Sequence, residues 1–78
     1  MKELKKINIE GFKNIYQEIT VVYNKKTFKP VTRKVTCILD DNCVRYTVTE
    51  NGRKKTRREY DNNQKEACFT DATKALNK

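Results

Sequence analysis

Two stretches in the first half of the chain alternate with period two. Across residues 15–24, Ile15, Ile19, Val21 and Tyr23 share one parity, while Tyr16, Glu18, Thr20, Val22 and Asn24 share the other, the pattern of a half-buried strand. Across residues 31–39, Val31, Val35, Cys37 and Leu39 face one way, interrupted by Arg33, and Thr32, Lys34, Thr36 and Ile38 face the other. Lys25 to Pro30 reads as a basic loop between them. Earlier, Leu4, Ile7 and Ile9 fit either a short strand over 4–10 or a frayed helical turn, and we adopt the strand.

The second half is set by its corners. Glu50-Asn51-Gly52-Arg53 is a hairpin signal, because Asn-Gly accepts the positive φ angles that a two-residue type I′ turn needs at both central positions. Strands 43–50 and 53–60 follow, with Glu50 opposite Arg53, Val48 opposite Lys55, Tyr46 opposite Arg57 and Val44 opposite Glu59. A second two-residue turn at Asp41-Asn42 would place Leu39 beside Val44, Cys37 beside Tyr46, Val35 beside Val48 and Arg33 beside Glu50. The charged interruption on that face then meets a carboxylate, and every other pair on it is apolar.

A capping-box spacing, Asn63 followed by Glu66, opens a helix expected over 63–76. Cys68, Phe69, Ala72, Ala75 and Leu76 form one stripe of mostly small apolar residues, suited to lying on the sheet face that carries Val35, Cys37, Val44, Tyr46 and Val48. The expected fold is therefore α+β, a single domain over 1–78. It is a four-stranded antiparallel meander, five-stranded if 4–10 pairs, with one C-terminal helix packed on one face.

Composition fits so small a design. The chain has 78 residues, 36% of them hydrophobic, and a domain of this size buries only about 60–65% of its extended surface. One sheet face under one helix is about what that supply can cover. Apolar runs such as Val21 to Tyr23 are far short of the roughly 20 residues of a membrane span. Met1 to Lys6 carries charge without an apolar stretch behind it, so no secretory signal is read there and a cytoplasmic location is expected.

Cys37, Cys43 and Cys68 lack metal-ligand spacing, and the chain contains no His. They read as small buried hydrophobes in a reducing compartment, with no metal and no cofactor expected. Without His or Ser, hydrolytic nucleophile arrangements have nothing to be built from, and the chain is not expected to be an enzyme.

Charge changes the picture most. The net charge is +8, and all of the excess lies in residues 25–58, where eleven Lys and Arg meet only Asp40, Asp41 and Glu50. Once the helix claims one face, parity exposes Thr32, Lys34, Thr36 and Ile38, then Arg45, Thr47 and Thr49, then Lys54, Thr56 and Arg58 on the other. Lys and Arg neutralise phosphates and release counterions, and Thr can bond phosphate oxygens or touch base edges. Asn51 and Arg53 would lead at the hairpin tip, as in strand readers of the major groove. Tyr46 falls on the covered side and only Tyr60 continues the exposed parity, which favours duplex contact over base stacking. Edge protection is a rival account of the run Arg53 to Arg58, since a cation-loaded edge strand resists aggregation.

The stretch Val44-x-Tyr46-x-Val48, the turn with Gly52, the basic run to Arg58, then Tyr60 and the helix opening Asn63-Gln64-Lys65-Glu66-Ala67 resembles the arm-type, N-terminal DNA-binding domain of tyrosine recombinases. The resemblance covers about residues 31–76. It implies a three-stranded sheet on one helix and duplex DNA held by the sheet face opposite that helix, at Lys34, Arg45, Thr47, Lys54, Thr56 and Arg58. The chain departs from that pattern in its extra N-terminal strand or strands, in Asn63 for the usual Thr and in Tyr60 for the usual Phe. No recombinase catalytic region lies within these residues.

The expected function is a small DNA-binding accessory or regulatory protein whose partner is double-stranded DNA. The alternative is a phage or mobile-element inhibitor of the anti-CRISPR type, binding a protein with an acidic or nucleic-acid-binding surface. Lys and Asn make up 21 of 78 residues, which suits an AT-rich source genome such as a phage or mobile element. A third possibility is a module that dimerises through the strand at 15–24.

Overall fold

A computed structural model describes residues 1–78. Five strands form one antiparallel sheet in chain order: β1 (Lys5–Ile7), β2 (Ile15–Tyr23), β3 (Pro30–Asp40), β4 (Cys43–Glu50) and β5 (Arg53–Tyr60). A 3₁₀ turn, Asn62–Gln64, leads into the single helix α1 (Lys65–Leu76), which packs on β3 and β4 and touches β2. The short segment near the N-terminus is thus a strand, and it supplies the fifth member of the meander.

The β3–β4 corner pairs as the sequence predicts, with Arg33 opposite Glu50, Val35 opposite Val48, Cys37 opposite Tyr46 and Leu39 opposite Val44. One face of these pairs becomes the core. Leu4, Val35, Cys37, Val44, Tyr46 and Val48 meet Cys68, Ala72 and Leu76 of the helix. Small residues on α1 let its backbone approach the sheet, and Phe69 reaches sideways to meet Tyr16 edge-on at 5.3 Å.

Arg33 occupies a core-face position and is satisfied from two directions. Its Nε and Nη2 donate to Glu50 Oε2 at 3.3 and 3.2 Å, and Nη1 donates to the carbonyls of Ala75 and Lys78, both at 3.2 Å. The cation therefore ties β3 to β4 and also closes the carbonyl end of α1, where positive charge is favourable.

The second hairpin departs from the expected register. Asn51 and Gly52 do adopt positive φ (51° and 81°), Glu50 opposes Arg53 and Thr49 opposes Lys54. Beyond that point Val48 opposes Thr56, Tyr46 opposes Arg58 and Val44 opposes Tyr60, so Lys55 is the extra residue of a β-bulge. Regular pairing would have pointed Lys55, Arg57 and Glu59 at the core face and turned Tyr60 to the open side. With the bulge, Tyr60 stands beside Tyr46, ring centroids 6.2 Å apart, and its hydroxyl donates to Asp71 at 2.6 Å. Burial and the Asp71 carboxylate hold the Tyr60 hydroxyl well above the ordinary tyrosine range.

The helix entry also differs from expectation. The capping residues are Asp61 and Gln64, not Asn63 and Glu66: the Asp61 N–H donates to Gln64 Oε1 at 3.0 Å. Asp61 directly follows β5, so the chain turns as soon as the strand ends. Asn62 meanwhile donates its amide to the Asp41 carbonyl at 2.6 Å, fastening the turn to the β3–β4 corner.

A further correction concerns β2. Tyr16 pairs with Cys37 and Glu18 with Val35, so the even-numbered residues lie on the helix side. The apolar parity therefore looks the other way: Ile15 is buried, whereas Ile19, Val21 and Tyr23 are 46%, 55% and 71% exposed. Register with β3 decided the face, and α1 lies too far over β3 and β4 to reward the opposite choice.

Candidate nucleic-acid interface

Pairing across β2 to β5 arranges the helix-free face in rows. Ile19, Lys34, Thr49 and Lys54 form one row; Gln17, Thr36, Thr47 and Arg57 the next; Ile15, Ile38, Arg45 and Glu59 the third. Neighbouring strands are about 4.8 Å apart, so two strand spacings separate the exposed Lys34 and Lys54. In the middle row, Gln17 donates to Thr36 Oγ1 at 3.0 Å. In the third, Glu59 lies 3.6 Å from Arg45 and 3.1 Å from Arg57, neutralising part of that corner. Arg45 also directs Nη2 to Cys43 Sγ at 2.9 Å, and its side chain is largely covered.

The face thus brings together Lys34, Arg45, Thr47, Thr49 and Lys54. Thr56 and Arg58 are not part of it. The bulge at Lys55 turns both to the helix side, where the Arg58 guanidinium lies 5.2 Å from the Tyr60 ring centroid and 3.9 Å from Asp71. Arg57 takes the open-face position instead. Asn51 sits at the tip, but its N–H donates to the Thr32 carbonyl at 2.9 Å and its side-chain oxygen accepts from the Thr32 N–H at 3.0 Å. It therefore works mainly as a clamp between the β4–β5 corner and β3. Arg53 is exposed at the same tip.

That tip is part of a larger basic end. The β2–β3 loop emerges beside it, since Asn24, Val31, Glu50, Asn51, Arg53 and Lys55 line one recess. Lys25, Lys26, Lys29, Arg53, Lys54 and Lys55 are exposed and none forms an ion pair. The loop that carries the first three is tightly built: Asn24 Oδ1 accepts from the Lys26 N–H at 2.8 Å, the Phe28 N–H donates to the Asn24 carbonyl at 2.7 Å, and the Asn24 N–H donates to the Lys29 carbonyl at 3.0 Å. Acidic groups gather at the other end of a molecule 40 Å long, at Asp40, Asp41, Glu59 and Asp61. There Asp40 is buried and accepts from the Lys13 and Asn14 N–H groups at 3.1 and 2.8 Å. Lys65 donates to Asp41 at 2.6 Å and holds its carboxyl below the usual range.

No family model, curated protein or solved structure matches this chain.

Sequence reasoning missed two aromatic residues at the basic end. Tyr23 lies on the open face because β2 presents its apolar parity there, and Phe28 is 84% exposed in the left-handed region at φ 56°. A bulky residue in that region is uncommon and packs against nothing here. Tyr60, expected to be the aromatic on the open side, is instead half-buried toward the helix. No group of three or more His, Cys, Asp or Glu side chains converges in a geometry that would hold a metal ion. No helix is long and apolar enough to cross a membrane. All three cysteines are free thiols; Cys37 and Cys68 lie 3.8 Å apart in the core, and burial pushes both thiols above the ordinary range.

Proposed function

We propose that the protein binds nucleic acid, and duplex DNA first of all, with the open sheet face and the basic end acting as one surface. The observation that carries this reading is the convergence of Lys25, Lys26, Lys29, Arg53, Lys54 and Lys55 at one end with no acidic partner within 4 Å. A surface serving only solubility intersperses both signs. Edge protection accounts for cations on β5, but Lys25, Lys26 and Lys29 belong to a loop and guard no edge. Phosphate neutralisation accounts for both groups. Lys34 and Thr49 continue the surface from this end onto the face, and Thr47, Arg57 and Arg45 extend it.

The test is a mobility-shift series with duplex DNA, single-stranded DNA and RNA at two salt concentrations. With six phosphate contacts, the logarithm of the binding constant should fall against the logarithm of salt with a slope of about −5 on duplex. Lys34→Ala combined with Lys54→Ala should weaken duplex binding at least about tenfold, as the loss of two phosphate contacts predicts. Arg58→Ala, altered on the helix side, should change it much less. A double variant that binds duplex as tightly as the parent would overturn the proposal.

Exposed Tyr23 and Phe28 beside Lys25, Lys26 and Lys29 favour a second reading, in which unpaired bases stack at the basic end. Tighter retention of the single strand than of the duplex would select it. A protein with an acidic or nucleic-acid-binding surface, the partner of an inhibitor, could engage the same end; salt-insensitive failure to retain any nucleic acid would direct attention there.

A further inference from the structure

The two edges of this sheet are unlike. β5 forms one edge with Arg53, Lys54, Lys55, Arg57 and Arg58 along it and a bulge in its middle, both devices that stop another strand from adding. The opposite edge is divided. β1 covers β2 only from Ile15 to Gln17, so no strand pairs with Glu18 to Tyr23 on that side. This exposed stretch, Glu-Ile-Thr-Val-Val-Tyr, contains no Lys, no Arg, no Pro and no bulge in a chain that is 36% charged.

The direction of its backbone groups follows from bonds on either side. The Asn14 carbonyl accepts from the Leu39 N–H and the Asn24 N–H donates to Lys29, so the even-numbered residues of this strand bond inward to β3. Ile19, Val21 and Tyr23 must then point their N–H and C=O groups outward, since these alternate along a strand. At Ile19 both groups are engaged by side chains: its carbonyl accepts from Lys2 Nζ at 2.6 Å and its N–H donates to Glu18 Oε1 at 2.9 Å. Val21 and Tyr23 have no protein partner at all on that side.

We propose that two copies of the chain join along this edge, β2 against β2 in antiparallel register, into one continuous sheet. The strand is complementary to itself. With Val21 opposite Val21 of the second copy, Ile19 falls opposite Tyr23, and every outward-pointing residue meets another, giving roughly six backbone hydrogen bonds. The exposed side chains of Ile19, Val21 and Tyr23 meet laterally as β-branched and aromatic cross-strand pairs, a favourable combination. Glu18 falls opposite Asn24, one residue from Lys25 of the other copy. Of the cations in each copy of charge +8, those of β5 stand three strand spacings, about 14 Å, from the seam, beyond the Debye length of about 8 Å at physiological salt; Lys25 and Lys26, which directly follow β2, lie near the seam and are offset in part by Glu18 of the other copy. Isologous two-fold contacts of this kind are the commonest form of self-association. The two-fold axis is perpendicular to the sheet, so both helices lie on one side and both open faces on the other.

Sedimentation equilibrium of the full chain without nucleic acid tests this independently of the functional reading. Between about 1 μM and 1 mM, the span in which a modest interface equilibrates, the mass should rise from monomer to dimer. Val21→Lys, at a side chain already open to solvent, should stay monomeric throughout while keeping the parent's circular dichroism and melting temperature. Lys2→Ala, which frees the Ile19 carbonyl, should dimerise more tightly. A parent chain that is monomeric at every concentration would overturn the proposal, as would a folded Val21→Lys variant that dimerises as tightly as the parent.

Discussion

Arg33 and Glu50 form the most consequential side-chain pair in the molecule. Their side chains are only 16% and 23% exposed, and the guanidinium also bonds the carbonyls of Ala75 in the last turn of α1 and of Lys78 beyond it. Removing the carboxylate alone leaves a poorly solvated cation with half its partners gone, which costs more than the pair itself contributes. Glu50→Ala should therefore lower stability by about 1–2 kcal/mol in a denaturant titration, with the loss reduced when Arg33→Met is added to the same chain. Equal losses in the single and double variants would show that the stranded charge is not the cause. Opposition of Arg33 and Glu50 was legible in the sequence from the Asp41-Asn42 corner. The attachment to Ala75 and Lys78 was not, because no local pattern says where a helix will end over a sheet.

The bulge in β5 decides the chemistry of the hairpin. Asn51-Gly52 fixed the corner, and the first two pairs follow it. After that, β5 offers one apolar residue in eight, Tyr60, against the Val44, Tyr46 and Val48 side chains on the core face of β4. Burying Tyr60 against Tyr46 and Asp71 outweighs one interrupted rung of the ladder. Lys55 is the residue expelled. Deleting it should leave every other pair and both faces unchanged, because Thr56 would then follow Lys54 directly into its present place opposite Val48. The expected stability change is within about 1 kcal/mol, and the Tyr60 and Asp71 signals in an NMR spectrum should be little shifted. Large movement of those signals, or collapse of the fold, would mean that the extra residue is needed to relieve twist.

At the scale of the whole molecule, charge is segregated along the long axis, and pH should reveal it. The Ile19 N–H, chiefly, and Lys5 hold the Glu18 carboxyl below its usual range, and Lys65 does the same for Asp41. An unfolded carboxylate takes up its proton near pH 4, while these two resist in the folded state. Their contribution is thus present above the unfolded value and is lost as pH falls through the lowered folded one. Asp41 is exposed and Glu18 half-buried at the sheet edge, so the effect is modest. Protonating the acidic end also leaves the excess positive charge unopposed. The melting temperature should hold from pH 7 to about 5 and then decline, with a shallower decline in Asp41→Asn; a flat profile to pH 2 would contradict the assignment.

Alternation, two corners and a stripe of small residues were enough to specify an antiparallel meander under one helix, because each is a local signal with a period or a turn geometry of its own. The face of β2 and the face of β5 beyond Lys55 were settled only by the assembled sheet. In β5 the apolar content is too sparse to choose a side alone, and in β2 register with β3 overruled the more apolar parity. That choice moved Arg57 onto the open face in place of Thr56 and Arg58, and set Tyr23 and the bare edge of β2 where a partner could reach them.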